Sequence, residues 1–322
     1  MRPGPLLVLP LLLLAHGASD RAVYDPAGPI YATPIALDQD APGAVRVGRL
    51  RFLRGWVLHS PNIAFGGLST MIANDAGRFV AVGDTGTIFR FGMDDRGTVG
   101  PSSIRDLPGT LPEKRLNDTE SMTIDPATGR IWIGYEVRNI VRRFDPAVRR
   151  ITADLAPAAM RDWPSPTGPE SMERLSDGRF VILSENAPVD GVPRGKQALL
   201  FAGDPTDPAT VVTRFTYRAP AAGFWPTDLR QLPDGRLLVL HRKLSIRDGF
   251  AASLSIVDPR AIHAGAVVTG REIARLRQPL TIDNMEALAV TRERGRTIIW
   301  IGSDDNFLWL ERTLLFKFAL ID

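Results

Sequence analysis

Three short stretches of the 322-residue chain set acids just ahead of an apolar run: "NDTESMTI" at 117–124, "GPESMERL" at 168–175 and "DNMEALAV" at 283–290. Each carries a glutamate, Glu120, Glu170 or Glu286, at the threshold of that run. Carboxylates gathered in number either hold a hard cation or pass protons. Together with amides such as Asn117, Asn284 and Asn306 they form an oxygen donor set that suits Ca²⁺ or Mg²⁺. Zinc prefers thiolates and imidazoles, yet the chain has no cysteine and four histidines, of which His59, His241 and His263 lie beyond the leader. Other chemistries lack their parts. There is no G-x-S-x-G elbow, no cysteine nucleophile and no Walker A loop, and "PRGK" at 193–196 reads as a surface turn.

The elements that must position these acids repeat. Five segments align on a Gly-Arg pair at Gly77, Gly129, Gly178, Gly235 and Gly295, spaced by 49 to 60 residues. Each is a short apolar strand, an Asp/Pro/Gly turn and a second strand rich in Val, Ile and Leu, which is a hairpin signal. A third strand usually follows ("TIFRFGMD", "NIVRRFD", "ASLSIVD", "TLLFKFAL"), then a more polar fourth ("RITADL", "REIARL"). Four antiparallel strands per unit describe the blades of a β-propeller, so the fold class is all-β with five readable blades. "TLLFKFAL" lacks a fourth strand, while "RLRFLRGWVL" at 49–58 has no blade of its own, so the N-terminal strand is expected to complete the last blade. "PIYATPIAL" at 29–37 leaves room for a degenerate sixth.

In an antiparallel hairpin the start of one strand and the end of the next share an end, so residues 13 to 18 apart become neighbours. This pairs Glu120 with Glu136, Glu170 with Glu185, Glu286 with Asp304, Asp228 with His241 and Ser69 with Asp84. If the first strand is innermost, these residues crowd the mouth of the central channel. Packed carboxylates raise one another's pKa, and a cation relieves that cost. The candidate metal ligands are therefore Glu120, Glu170, Glu286, Asp304 and Asn284, with Ca²⁺ the expected ion. The structural alternative is that the acids cap strands, pair with Arg115, Arg138 or Arg230, and keep the mouth solvated.

"FGGLSTMIANDAGRFVAVGDTG", "NDTESM", "PESMERLSDGRFVILSE", "DNMEALAV" and "SDDNFLWLERTLLFKFAL" resemble the landmarks of the phytase-like domain family, also labelled esterase-like activity of phytase, over about residues 45–322. The resemblance implies a β-propeller and ester or phosphoester hydrolysis. A looser similarity, to gluconolactonase-like and paraoxonase-like propellers, carries over only Glu120, Glu170 and Glu286 at inner-strand starts and Asp304 at a strand end. That similarity implies a central Ca²⁺ that polarises a carbonyl or phosphoryl oxygen, with His241, Asp228 or Asp304 activating water. A basic platform for a highly charged phosphate would draw on Arg115, Arg138, Arg142, Arg143 and Arg242, but Arg142 and Arg143 adjoin on one strand and point to opposite sides. The second reading is a non-catalytic periplasmic propeller that binds a ligand or partner protein.

Composition bounds these readings. A hydrophobic content of 44% supports a large core, and 39 basic against 36 acidic side chains leaves a net charge of only +3. With no basic run interleaved with aromatics, nucleic acid is not an expected partner. "PLLVLPLLLLA" behind Arg2 has the length of a signal-peptide core, so residues 1–18 are expected to be a leader and 19–44 an N-terminal extension. The mature protein is expected in the periplasm or secreted, without a membrane anchor, and a small-molecule ester or phosphoester is its expected partner.

Overall fold

The computed structural model describes residues 25–43 and 46–321. The leader expected at 1–18 lies outside them. Among the described residues no helix is long and apolar enough to cross a membrane.

Five sheets stand around a common axis. Blade 1 is built from Leu68–Ala73, Arg78–Gly83, Thr87–Gly92 and Ser103–Asp106, and blade 2 from Thr119–Ile124, Ile131–Tyr135, Ile140–Phe144 and Ile151–Leu155. Blade 3 runs Pro169–Arg174, Phe180–Pro188, Gly195–Phe201 and Val212–Arg218, with Val267–Thr269 added in parallel at its edge. Blade 4 comprises Trp225–Gln231, Leu237–Ser245, Gly249–Val257 and Arg271–Arg277. Blade 5 takes Asn284–Glu293, Arg296–Asp304 and Leu314–Leu320 from the C-terminal end, and its fourth strand is Leu50–His59, paired antiparallel with Leu315 opposite Trp56. The chain is thus closed by its N-terminal strand. Among the described residues no sixth blade forms: Tyr31–Pro34, inside the "PIYATPIAL" segment, pairs with that same strand, Ala32 opposite Leu58, and widens blade 5. The outer edge of Leu50–His59 was available for pairing, whereas an isolated strand would have left its backbone unsatisfied.

The first hairpin of every blade turns at the same place. Gly77, Gly129, Gly178, Gly235 and Gly295 all have φ between 69° and 90°, a left-handed conformation that β-carbon sterics discourage in other residues. That requirement is why the Gly-Arg pair is the clearest repeat in the sequence.

The core is divided into clusters lying between successive blades. Val82 and Ile88 meet Met122 and Ile133 between blades 1 and 2, and Trp132 and Val141 meet Met172 and Ile182 between blades 2 and 3. Leu183 and Phe215 meet Leu229 and Val239 next, then Leu240 and Leu254 meet Leu288 and Phe316. Trp300 and Leu315 of blade 5 close the ring against Met71 and Phe79 of blade 1. Because both faces of each blade are covered, the strands read as near-continuous apolar runs rather than clean alternation.

Midway along the axis Arg230 ties the inner strands together. Its Nη2 donates to Thr70 Oγ1 and Met71 O, both at 2.8 Å, and its Nη1 lies 2.8 Å from Asp228 Oδ1. Asp228 Oδ2 also accepts from Leu288 N at 2.8 Å and Thr70 Oγ1 at 2.9 Å. One buried ion pair thereby bonds to blades 1, 4 and 5.

Candidate functional site: a carboxylate ring at the channel mouth

Each inner strand slips register by one residue after its first or second pair: between Leu68 and Thr70, Thr119 and Ser121, Pro169 and Ser171, Pro226 and Asp228, and Met285 and Ala287. The extra residues are Ser69, Glu120, Glu170, Thr227 and Glu286. A bulge re-aims the side chain of its unpaired residue, and here three of five bulges present a glutamate. The bulge also decides what Asp228 is. The ring position of blade 4 belongs to Thr227, and Asp228 sits one step deeper, opposite Leu240.

The glutamates of the bulges meet acids from the ends of the second strands. Asp118, Glu120 and Glu136 bring carboxylate oxygens within 4.8 Å of one another, and so do Glu136, Glu170 and Glu185. Glu136 belongs to both groups and joins them into one arc. Arg242 supplies counter-charge, with Nη2 3.0 Å from Glu185 Oε1 and Nε 3.0 Å from Glu286 Oε1. Asn284 Nδ2 donates to Glu286 Oε1 at 2.8 Å. At the rim, Lys114 Nζ stands 3.8 Å from Asp84 Oδ2.

Burial and mutual repulsion lift these carboxyls. Burial, then Asp118, push Glu136 up to about 9. Burial raises Glu286 to about 7 against the pull of Arg242, and Asp84 to about 6 against Lys114. Glu120 and Glu170 are held well above the usual carboxylate range by burial, then by Glu170 for the first and Glu185 for the second. Asp304 is raised by burial and by Glu286. Burial disfavours the charge on Arg242, but Glu286, Glu170 and Glu185 outweigh it and lock the guanidinium in its ionised form.

Three acceptors in this region are buried without a hydrogen-bond partner among the described residues: Glu170 Oε2, Asn284 Oδ1 and Asp84 Oδ1. Orphaned acceptors amid like charges are costly, and all are hard oxygens of the kind that coordinate Ca²⁺. The donor set therefore fits a divalent cation.

The structure brings together Glu120, Glu170 and Glu286 with Asn284 and, at the edge, Asp304, whose Oδ1 accepts from Asn306 N at 2.6 Å. It does not bring Asp228 to His241. His241 is opposite Pro226, its Nε2 lies 2.6 Å from Tyr217 Oη, and its Nδ1 lies 3.1 Å from Ser253 O. Burial pushes its pKa down to about 4, so it is a neutral core histidine between blades 3 and 4, away from the acids. The expected arginine partners also differ. Arg115 pairs with Glu113 and Arg230 with Asp228, while the ring's own partner is Arg242. Arg142 and Arg143 diverge, to Asp154 at 2.9 Å and Asp204 at 2.5 Å. Asp118, Glu136, Glu185 and Asp84 were absent from the expected ligand set. The hairpin spacing pairs three of them with inner-strand residues, but their role as the hub of the arc depends on neighbouring blades.

The fold and site define a five-bladed propeller whose mouth is lined by carboxylates. The chain belongs to the phytase-like family described as "Esterase-like activity of phytase", which matches residues 63–307. No curated protein matches it. Among solved structures it is similar to a protein of unknown function from Dyadobacter fermentans DSM 18053, at 10% identity and a TM-score of 0.47, covering 85% of this chain and 100% of that one. It is similar also to a streptogramin B lyase, at 10% identity and a TM-score of 0.40, covering 85% and 83%. A third is the PQQ domain of pyranose dehydrogenase from Coprinopsis cinerea, at 11% identity and a TM-score of 0.42, covering 79% and 94%.

Proposed function

We propose that this propeller is a cation-dependent hydrolase of esters, lactones or phosphoesters, acting at the channel mouth. The observation that carries the reading is the arc Asp118, Glu120, Glu136, Glu170, Glu185, in which at least three carboxylates share each 4.8 Å neighbourhood and Glu170 Oε2 has no hydrogen-bond partner. Glu120, Glu136, Glu170 and Glu185 would hold a Ca²⁺ ion, with Glu286 and Asn284 beside them. When bound, such an ion supplies Lewis acidity toward a carbonyl or phosphoryl oxygen.

The remaining work falls to the chain's own groups. Arg242 holds Glu185 and Glu286 in place through its two contacts at 3.0 Å. Asp84, near pH 6 in its titration and with an unpartnered Oδ1, is suited to take a proton from water at neutral pH. Hydrolysis adds the water oxygen to the acyl carbon or phosphorus, breaks the ester bond, and passes the proton to the departing alcohol. The family's description and the ring's chemistry support this assignment.

A second reading, a non-catalytic ligand-binding propeller, is favoured by Arg242, which already gives two ring acids their counter-charge. Metal analysis of purified protein, combined with chromogenic esters, lactones and phosphoesters in Ca²⁺ and in chelator, separates the two. Chelator-sensitive turnover that Asp84→Asn reduces by about a hundredfold, as general bases typically contribute, supports the hydrolase. Bound metal with no turnover on any class leaves the binding propeller.

A further inference from the structure

Large apolar side chains are exposed on the same end of the molecule as the acidic ring. Ile246 is 98% exposed, Trp309 88%, Leu310 71%, Leu244 63% and Ile63 60%. The connections that bear them share one geometry. Each either leads into an inner strand, as does Ile63 ahead of Leu68–Ala73, or joins a second strand to a third, as do Leu244 and Ile246 in blade 4 and Trp309 and Leu310 in blade 5. Both kinds of connection lie at the mouth, because inner strands start there and second strands end there.

These projections are built, not frayed. Beyond Arg242 the blade 4 hairpin continues pairing through Lys243 with Ala251, Leu244 with Phe250 and Ser245 with Gly249, which lifts its tip about 10 Å past the ring. In blade 5, Asp305 accepts from Gly67 N and Thr313 Oγ1, both at 2.9 Å, and Asn306 Nδ2 donates to Glu311 at 2.8 Å across the loop base. Phe307 is held under Lys114, whose Nζ lies 4.9 Å from the ring centroid. The loop is therefore fixed while Trp309 and Leu310 face solvent.

Cations accompany the apolar tips. Lys243 and Arg247 flank Leu244 and Ile246, with Asp248 next along the tip, and the exposed Lys114 stands at the rim over Phe307, while Arg115 is paired with Glu113. The ring acids are recessed, with Glu170 4% and Glu286 6% exposed, so an approaching surface meets the rim, with Lys114, Lys243 and Arg247 among its charges, before it meets the ring. Separate apolar tips around a polar opening do not form the contiguous apolar centre of a protein interface. Isolated Trp, Leu and Ile side chains, with Lys243 and Arg247 flanking the blade 4 pair, match the headgroup level of an anionic bilayer.

We infer that the mouth face docks on an anionic lipid bilayer and that the substrates of the site include amphiphilic esters presented there. The docking stands on the surface alone, and the substrate class rests on the hydrolase reading above. The apolar tips enter the headgroup region and bring the recessed ring to an ester at that depth.

Co-sedimentation of the protein with phosphatidylcholine vesicles, and with the same vesicles containing phosphatidylglycerol, tests it, with chelator present so that no cation bridges acid to lipid. Salt-sensitive binding to the anionic vesicles is expected. Lys243→Gln with Arg247→Gln should weaken it by about thirtyfold, as expected for two cations near a charged surface. Leu244→Ser with Ile246→Ser, or Trp309→Ser with Leu310→Ser, should abolish it, while unfolding and turnover of a short-chain soluble ester stay at wild-type values. Absence of binding to either vesicle overturns the inference, and so does binding that the apolar substitutions leave intact. A concentration-dependent dimer that Trp309→Ser with Leu310→Ser dissolves, without vesicle binding, overturns it in favour of a second copy of this chain. Vesicle binding with no turnover on any substrate keeps the docking surface and removes the hydrolase reading and its substrate class.

Discussion

At the residue scale, the chain keeps five carboxylates where two would already repel, and the protons they retain make the ring's charge depend on pH. Glu136, pushed up to about 9, and Glu286, pushed up to about 7, hold protons in the folded chain that the unfolded chain releases near pH ~4.3. Their folded-state penalty is absent below that value and grows from there up to pH about 7 for Glu286 and about 9 for Glu136, above which it is constant. His241, pushed down to about 4, acts oppositely, since the folded chain binds fewer protons than the unfolded chain between about pH 6.5 and 4 and loses stability as pH falls there. In chelator, the melting temperature should therefore fall steadily between pH 6.5 and 9, a window in which Glu136 still holds a proton in the folded chain that the unfolded chain has lost. Calcium should flatten that slope, because a bound cation keeps the carboxylates ionised, and a slope indifferent to calcium would count against the cation. Glu170→Gln removes one buried ionisable group from the ring without changing shape. It should melt at or above wild type in chelator yet lose the calcium-dependent gain, which for a site filled at a hundred times its Kd is about 2.7 kcal/mol. Thermal scans with and without calcium check both outcomes.

At the element scale, the bulged inner strand is the device that makes the site. One extra residue per strand re-aims Glu120, Glu170 and Glu286 to the mouth and moves Asp228 from the mouth to the axis. There Asp228 is fully buried with Arg230, and together they fasten three blades. Asp228→Ala should cost about 3–5 kcal/mol, since it leaves the buried Arg230 guanidinium with only the longer contact to Glu173, at 3.7 Å, as counter-charge. Replacing both, as Asp228→Leu with Arg230→Met, should cost less than the single change, because the one acid left without its partner, Glu173, is already raised by burial and can take a proton. Denaturant unfolding of the three proteins tests that order, and a double variant worse than Asp228→Ala would contradict it. His241→Phe should leave turnover within about twofold while losing roughly 1–2 kcal/mol with its hydrogen bond to Tyr217, and steady-state kinetics together with denaturant unfolding check both.

At the scale of the whole molecule, closure makes the ring possible. Blade 5 joins residues 50–59 to residues 314–320, so the two ends of the propeller hold one another through a ladder from Leu50 with Leu320 to Val57 with Leu314. Trp56 is 1% exposed and stacks on Trp300 with centroids 6.2 Å apart, at the junction of blades 5 and 1. Trp56→Ala should destabilise by about 3–5 kcal/mol, the range for emptying a large aromatic site. A chain beginning at residue 60 should lose the single cooperative transition altogether, which calorimetry would register as a broad or absent peak.

Repetition made the architecture legible before any coordinates. A residue with positive φ is needed at every first hairpin, so glycine recurs at Gly77, Gly129, Gly178, Gly235 and Gly295 and marks the blades one by one. Antiparallel geometry likewise let local spacing place Glu136 near Glu120 and Glu185 near Glu170, and the missing fourth strand of the last blade pointed to residues 49–58. The failures came where a single residue's facing depended on the third dimension. A bulge is invisible in a hydrophobic pattern, yet one inserted residue reverses which side chain faces the channel, so Asp228 and His241 were expected to meet and do not. The degenerate sixth blade failed because a short strand adds to whichever edge is free, and the edge of Leu50–His59 was free. The merging of two blades' acids into one arc through Glu136, and the insertion of Arg242 from a third, involve groups 34 or more residues apart. Residue types and local periods determined the five blades and their acidic threshold, while the meeting of those acids was decided only by ring closure, which sets the blades side by side around one axis.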